Sequence, residues 1–312
     1  MRVCCDEFRA KIADGKIERI LVTIMRTFEE LKQLLAEIKD NNCNIPGDVD
    51  TDDLIADMLK FIGHTDAELR DKLIYSIVGT WADNNILSAT QLKHILNTCL
   101  DEHHLFFGIG EKDTDSVFTR TFSSLQISLV LWANQNATPF LTAGEIMNIK
   151  KTVMRYINQE RDYRGYVDGK GWAHAIAHIA DVLGHLAEVG KTVDSDSEFS
   201  IGREGFLEIL GAVKSMVCNK DCVYTAEEDE RLAVPVMDVI YREVLTNDEI
   251  IDWVRSFNMT DKAWWNGSVP ADFHIHVNRK LFMRSLYFKL VSDGDYEEIC
   301  KFMLGFLAEF ED

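Results

Sequence analysis

Three histidines and an aspartate recur at near one-turn spacing within "RDYRGYVDGKGWAHAIAHIADVLGH", residues 161–185. Imidazole changes charge close to neutral pH and is also a common metal ligand. A carboxylate beside it can orient it, accept from it or share an ion with it. His174, His178, Asp181 and His185 on one helix stripe therefore point to proton transfer, metal ligation or polar-ligand recognition. With residues 172–188 taken as a helix at about 100° per residue and His174 at 0°, His178 falls at about 40°, Asp181 at about −20° and His185 at about 20°. Trp172, Ile176, Ile179, Leu183 and Leu186 form an aliphatic face, and Ala173, Ala177, Ala180, Gly184 and Ala187 a small-residue face. Two buried faces and one polar stripe predict a central helix whose stripe borders a cleft.

Three chemistries compete for that stripe. His174 and His178, one turn apart, have the spacing of two imidazoles on one divalent ion, with His103, His104, His274 or His276 as further donors. Asp181 lies roughly 10 Å along the axis from His174, too far for the same ion. The H-E-x-x-H order of zinc proteases is absent because Ala175 takes the glutamate position. The second chemistry is a closed hydrogen-bond network in which Asp181 accepts from His178 and His185. The third is a ligand: Gly165, Gly169 and Gly171 with Arg161, Arg164 and Lys170 would bring amides and cations to a helix N-terminus, a place for a carboxylate or phosphate. The segment is not a Walker loop, since the order G-x-x-x-x-G-K-[ST] is missing.

The elements that must hold these residues read as helices. Only four prolines occur in 312 residues. "ELRDKLIYSIVGTWA" (68–82), "SVFTRTFSSLQISLVLWAN" (116–134) and "AGEIMNIKKTVMRYINQE" (143–160) carry amphipathic three-and-four spacing. Six pairs have capping-box spacing: Thr27/Glu30, Thr65/Glu68, Ser88/Gln91, Thr142/Glu145, Thr225/Glu228 and Thr246/Glu249. About twelve helices are expected, with longer irregular stretches at 41–50, 102–114, 191–199 and 258–272. The one strand candidate is "DFHIHV" (272–277). Similarity between "FTRTFSSLQISLVL" and "FMRSLYFKLV", and arginines at 70, 120, 231 and 284, suggest a repeat of about fifty residues. The expected fold is all-α, a right-handed α–α superhelix of about six HEAT- or armadillo-like hairpins. Those arginines would bridge to acids of the next repeat or line a concave surface.

Thirty-three basic and 52 acidic residues give a net charge of −19, which disfavours nucleic acid and anionic membrane as partners. No apolar run approaches the ~20 residues of a membrane span. Seven cysteines without framework spacing suggest reduced thiols and a cytoplasmic setting. Cys218 and Cys222 lack the further ligands of a zinc site. The acidic stretch "DSDSEFSIGREG" (194–205) fails the calcium-loop pattern, with Phe199 at the glycine position and Gly205 at the terminal glutamate. A helix begins at Thr27, so residues 1–24 read as an N-terminal extension to a single domain of 25–312.

"ERDYRGYVDGKGWAHAIAHIADVLGHLAE" resembles the pattern D-x-R-G-Y…G-W-A-H-A-x-A-H-x-A-D-x-L of an uncharacterised bacterial family, domain of unknown function 2785. "VFTRTFSSL" (117–125), "EEDERLA" (227–233) and "FMRSLYF" (282–288) are similar to it too, so that the resemblance spans roughly 27–310. It implies an all-helical HEAT-like fold in a bacterial cytosol, and no established activity. It marks Asp162, Arg164, Gly165, Tyr166, Gly171, Trp172, His174, His178 and Asp181, with Glu228 and Arg231. The ligand-binding candidates are thus Arg164, Tyr166, Trp172, His174, His178, Asp181 and Arg231, and the metal candidates His174 and His178. The leading expectation is a binding module for a peptide, a protein or a small anionic ligand, with no cofactor beyond that optional divalent ion. A hydrolase is the alternative, with His174 or His178 as base, Asp181 orienting it and Arg164 stabilising negative charge. A pure interaction scaffold is the third reading.

Overall fold

The computed structural model describes residues 25–189, 201–257 and 270–308. The expected extension, 1–24, lies outside the described residues, as does most of the acidic stretch 194–205. Among the described residues are twelve α-helices: α1 (Phe28–Asp40), α2 (Thr51–Lys60), α3 (Ser76–Asp83), α4 (Ala89–Cys99), α5 (Ser116–Asn136), α6 (Ala143–Gln159), α7 (Ala175–Glu188), α8 (Gly202–Val217), α9 (Glu228–Tyr241), α10 (Asn247–Arg255), α11 (Pro270–Asp293) and α12 (Glu297–Ala308). A π-helical segment, Glu68–Tyr75, runs directly into α3, and Tyr166–Val167 (β1) pairs antiparallel with Gly171–Trp172 (β2).

Local chemistry sets most helix starts. Thr27, Ser88, Thr142 and Thr246 each form a full capping box, satisfying amides that a first turn leaves open. The other two predicted boxes do not form. Asp66, not Thr65, accepts from the Leu69 amide at 2.9 Å, and Glu228 reaches back to the Ala226 amide at 2.7 Å while Glu227 takes a left-handed conformation. Residues 272–277, the sequence's strand candidate, are the first turns of α11.

The helices α5, α7, α9 and α11 lie side by side in that order, with the π segment and α3 against α5 on the far side. This is the inner row. A second row, which includes α2, α4, α6, α8, α10 and α12, covers one side of it: α4 packs on α5, α6 on α7, α8 on α7 and α9, and α12 on α11. The helix α7 sits centrally, as its three-faced pattern predicts, and eleven of its fourteen residues are buried. Gly184 lets α9 come close: a Cβ there would stand 2.7 Å from an Asp238 carboxylate oxygen. No described helix is long and apolar enough to cross a membrane.

Candidate functional site

The local fold of 160–174 departs from the helical wheel. Instead of entering a helix at residue 172, the chain forms the β1–β2 hairpin, and α7 begins at Ala175. Gly171 explains the difference. Its φ is +83°, and a Cβ would stand 2.8 Å from that of Ala67, so the turn needs glycine on conformational and steric grounds. The Ala173 amide then donates to the Gly165 carbonyl at 2.8 Å and the His174 amide to that of Arg164 at 3.0 Å. His174 is left-handed at φ 54°. It occupies the cap of α7 rather than the stripe, and Trp172 is on a strand rather than an aliphatic helix face.

Arg70, fully buried, secures the hairpin. One guanidinium nitrogen donates to the Lys170 carbonyl at 2.7 Å and another to that of His64 at 2.6 Å. The ring faces of Phe118 and Phe122 lie 4.2 and 4.6 Å from its guanidinium carbon. No carboxylate touches it directly, and burial draws its pKa down to about 10.

The segment before the hairpin wraps a buried ion pair. Arg120 donates to Glu160 through Nε at 2.6 Å and Nη2 at 2.9 Å. The same carboxylate accepts the amides of Arg161 and Asp162 at 2.8 and 2.9 Å. Asp162 is in turn bound twice by Arg164, at 2.8 and 2.6 Å. Arg164 is therefore a structural clip already neutralised by its neighbour, and Lys170 is likewise occupied by Asp115 at 2.6 Å. Of the three cations near the α7 N-terminus, Arg164 and Lys170 are thus paired with carboxylates and Arg161 is not.

An aromatic series runs inward from the surface. Tyr166, 57% exposed, meets Trp172, 40% exposed, edge to face. Trp172 stacks on His174 with ring centroids 4.5 Å apart, and His174 meets His178 edge-on at 5.7 Å. His178 ends against Phe122 in the core. The His174 Nε2 faces the Ala226 carbonyl at 2.8 Å; because a carbonyl only accepts, that nitrogen carries the proton. Glu228, buried, stands 4.0 Å from it. Gly165 permits the approach, since a Cβ there would meet the Ala226 Cβ at 2.6 Å. His178 has no partner at Nδ1. Burial, with the charges of His174 and Arg231 behind it, pushes its pKa down to about 3, so it stays neutral.

Asp181 does not bind His178 or His185. It pairs with Arg231 of α9, fifty residues away, and His185 pairs with Glu188 at 3.3 Å. Burial raises the Asp181 pKa, with Arg231 opposing the rise. The predicted internal network is thus replaced by one pair with α9 and one i,i+3 pair within α7. Of the four repeat-spaced arginines, Arg120 and Arg231 bridge to acids on other elements, Arg70 takes carbonyls and Arg284 is exposed. Among the described residues, no group of three or more His, Cys, Asp or Glu side chains is arranged to hold a metal. Cys218 lies at the end of α8 and Cys222 in the loop beyond it, where burial raises its thiol to about 11.

Four of the seven candidates line two separate recesses. Arg164, Tyr166 and Trp172 line a cleft of about 530 Å³ together with Lys112, Arg161, Cys222, Ala226 and Glu228. His174 sits behind its Trp172 and Ala226 walls. Asp181 lines a different trough, of about 640 Å³, on the open face of the inner row. Arg231 stands beside that trough, and His178 is sealed below both. The cleft also uses Arg161, whose side chain donates to the carbonyls of Glu160 and Asn158 rather than to a carboxylate. Sequence reading did not single out Glu160. Its signal is an acid at a helix C-terminus, where the dipole disfavours a carboxylate unless a cation stands nearby.

The family model described as protein of unknown function (DUF2785) matches residues 105–288, more than half of the chain, and the chain belongs to that family. The match includes the whole 160–188 segment and the α9 residues that meet it. Comparison with curated proteins and with solved structures finds no match.

Proposed function

We propose that this protein is a binding module, built as a right-handed stack of HEAT-like hairpins, which holds a small anionic ligand or the carboxylate end of a peptide in the Tyr166–Trp172 cleft. One observation carries the reading: two large aromatic side chains remain exposed at the lip of a cleft whose walls are locked by internal ion pairs. Arg120–Glu160, Arg164–Asp162 and Lys112–Asp221 fix the walls, and such pre-ordering lowers the cost of binding. Arg161, held by carbonyls, keeps its charge for the ligand. The aromatic faces offer the ligand's body a stacking surface.

The hydrolase reading gains less support. His178 is sealed and neutral, Asp181 is taken by Arg231, Arg164 is neutralised by Asp162, and Cys222 is held as a thiol. A base in this cleft would have to be His174 with Glu228, and their 4.0 Å separation is longer than a hydrogen bond. The test is a titration of the full chain with glutamate, inorganic phosphate and an acidic tripeptide in its free-carboxylate and amidated forms. Trp172 fluorescence, taken as the difference from Trp172→Phe, is the readout. The free-carboxylate peptide is expected to change it and the amide to leave it unchanged. Equal responses to both forms, or an undiminished response in Arg161→Gln, would overturn the reading.

A further inference from the structure

The open face of the inner row has a character that the cleft does not share. Two troughs lie on it, of about 640 and 600 Å³, on either side of a ridge formed by Val234 and Asp238 of α9. The first is floored by small residues, among them Ser76, Gly79, Thr80 and Gly184. The second is walled by α9 and α11. Counted once each, their lining side chains include six carboxylates (Asp83, Asp181, Glu188, Glu230, Asp238 and Asp293) and a single lysine, Lys289. Lys289 answers Glu230, Arg231 answers Asp181 from beside the trough, His185 pairs with Glu188, and the Tyr241 hydroxyl donates to Asp293.

Backbone electrostatics reinforce this charge independently. Asp83, Glu188, Asp238 and Asp293 belong to the last turns of α3, α7, α9 and α11. The same surface therefore gathers the C-terminal ends of four helices, each carrying partial negative charge from its unsatisfied carbonyls. Proteins commonly place Lys or Arg there. In α3, α5, α9 and α11 the last turn has no basic residue, and in α7 it has only His185. Elsewhere the pattern is mixed: Lys39, Lys60, Lys214 and Arg255 occupy the last turns of α1, α2, α8 and α10, while α4, α6 and α12 have no basic residue there. On this face the helix-end charge and the carboxylates therefore add, with no Lys or Arg in these last turns to offset them.

Apolar side chains complete the surface. Val234 is 37% exposed, Tyr241 42% and Phe288 64%, and all three line the second trough. Exposed apolar groups rimmed by charge mark interaction sites.

From this coincidence of helix C-termini, carboxylates and open aromatic side chains, we infer that the inner-row face docks an extended segment of a partner protein in which lysine or arginine alternates with apolar residues. The basic side chains meet Asp83 at one end of the face and Asp293 at the other, and an apolar side chain packs between Tyr241 and Phe288. Helices packed at about 8–10 Å put α3 and α11 roughly 35 Å apart across α5, α7 and α9. About eleven residues at ~3.3 Å each span that distance. Anionic ligands and nucleic acid are disfavoured on this face, so the inference is independent of the cleft.

The experiment is fluorescence anisotropy with the full chain and a labelled peptide of about eleven residues, alternating Lys and Leu. A Lys/Ser peptide of equal charge and a five-residue Lys/Leu peptide serve as comparisons. Asp83→Asn and Asp293→Asn, at opposite ends of the face, should each weaken the longer Lys/Leu peptide by roughly twofold to fivefold. Phe288→Ala should weaken it about fivefold to tenfold without moving the melting temperature. The five-residue peptide should respond to only one of the two ends. Asp40→Asn with Asp48→Asn, outside the troughs, carries a larger charge change than either end variant and should have no comparable effect. The inference is overturned if the Lys/Ser peptide binds as well as the Lys/Leu one, which would mean attraction to net charge alone. It is equally overturned if Phe288→Ala has no effect, or if sedimentation shows self-association that Phe288→Ala abolishes, which would make the face a contact between copies of this chain.

Discussion

Replacing Glu160 by glutamine tests whether the buried Arg120–Glu160 pair organises the cleft. Both side chains are almost wholly buried, and Glu160 accepts two bonds from Arg120 and one each from the Arg161 and Asp162 amides. Glutamine keeps an oxygen for the amides but turns an NH₂ toward a guanidinium, donor against donor, and leaves the cation without its counter-charge. Breaking a buried pair on one side costs about 3–5 kcal/mol. At about 2 °C per kcal/mol for a chain of this size, the melting temperature should fall by about 6–10 °C. Urea unfolding followed by circular dichroism at pH 7.5 measures the cost directly. The double change Arg120→Met with Glu160→Met should recover none of it. That double change strands the two amides and the Phe107 and Gly108 carbonyls that Arg120 now binds, at about 1–3 kcal/mol for each unsatisfied group. A Glu160→Gln protein within about 1 kcal/mol of the parent would refute the reasoning. So would single and double costs that simply add, because residues in one network must couple.

Other outcomes follow from the same geometry. His178 has a folded pKa of about 3 against 6.5 for the free side chain, so the unfolded chain binds a proton that the folded chain refuses. Its stabilising effect is complete above pH 6.5 and is lost as pH falls toward 3, at about 1.4 kcal/mol per pH unit. His178→Phe should flatten urea-derived stability between pH 6 and 4 relative to the parent, and an unchanged slope would count against the buried neutral imidazole. Gly165→Ala forces a methyl against Ala226 and should cost about 1–3 kcal/mol in thermal or urea unfolding. Arg70→Lys loses the planar fork that reaches the His64 and Lys170 carbonyls together, so it should expose the hairpin amides to faster hydrogen exchange while the far-ultraviolet spectrum stays helical.

The helices and several of their boundaries were legible in the sequence because those signals are local. A Thr or Ser and a Glu or Gln three residues on meet within a single turn wherever the helix lies, and four of six such pairs do so here. The central place of α7 followed from its faces, which must be buried whatever their partners. The family was legible through the RGY…GWAH segment, which lies within the family match. Steric detail was not legible. Gly171 turns the chain into a hairpin because Ala67 and Arg70 stand against it, a fact about residues a hundred positions away, and it moves His174 off the predicted stripe.

Partner choice likewise belonged to the tertiary structure. Asp181 had two histidines within reach along its own helix, yet a guanidinium on α9 offers a full positive charge and takes it. Glu228 becomes a neighbour of His174 only when the loop before α9 folds over Gly165. Composition alone determined that the surface is acidic. Where that acidity meets the ends of four helices depends on how the rows stack, because a helix dipole has direction and only packing sets which ends share a face.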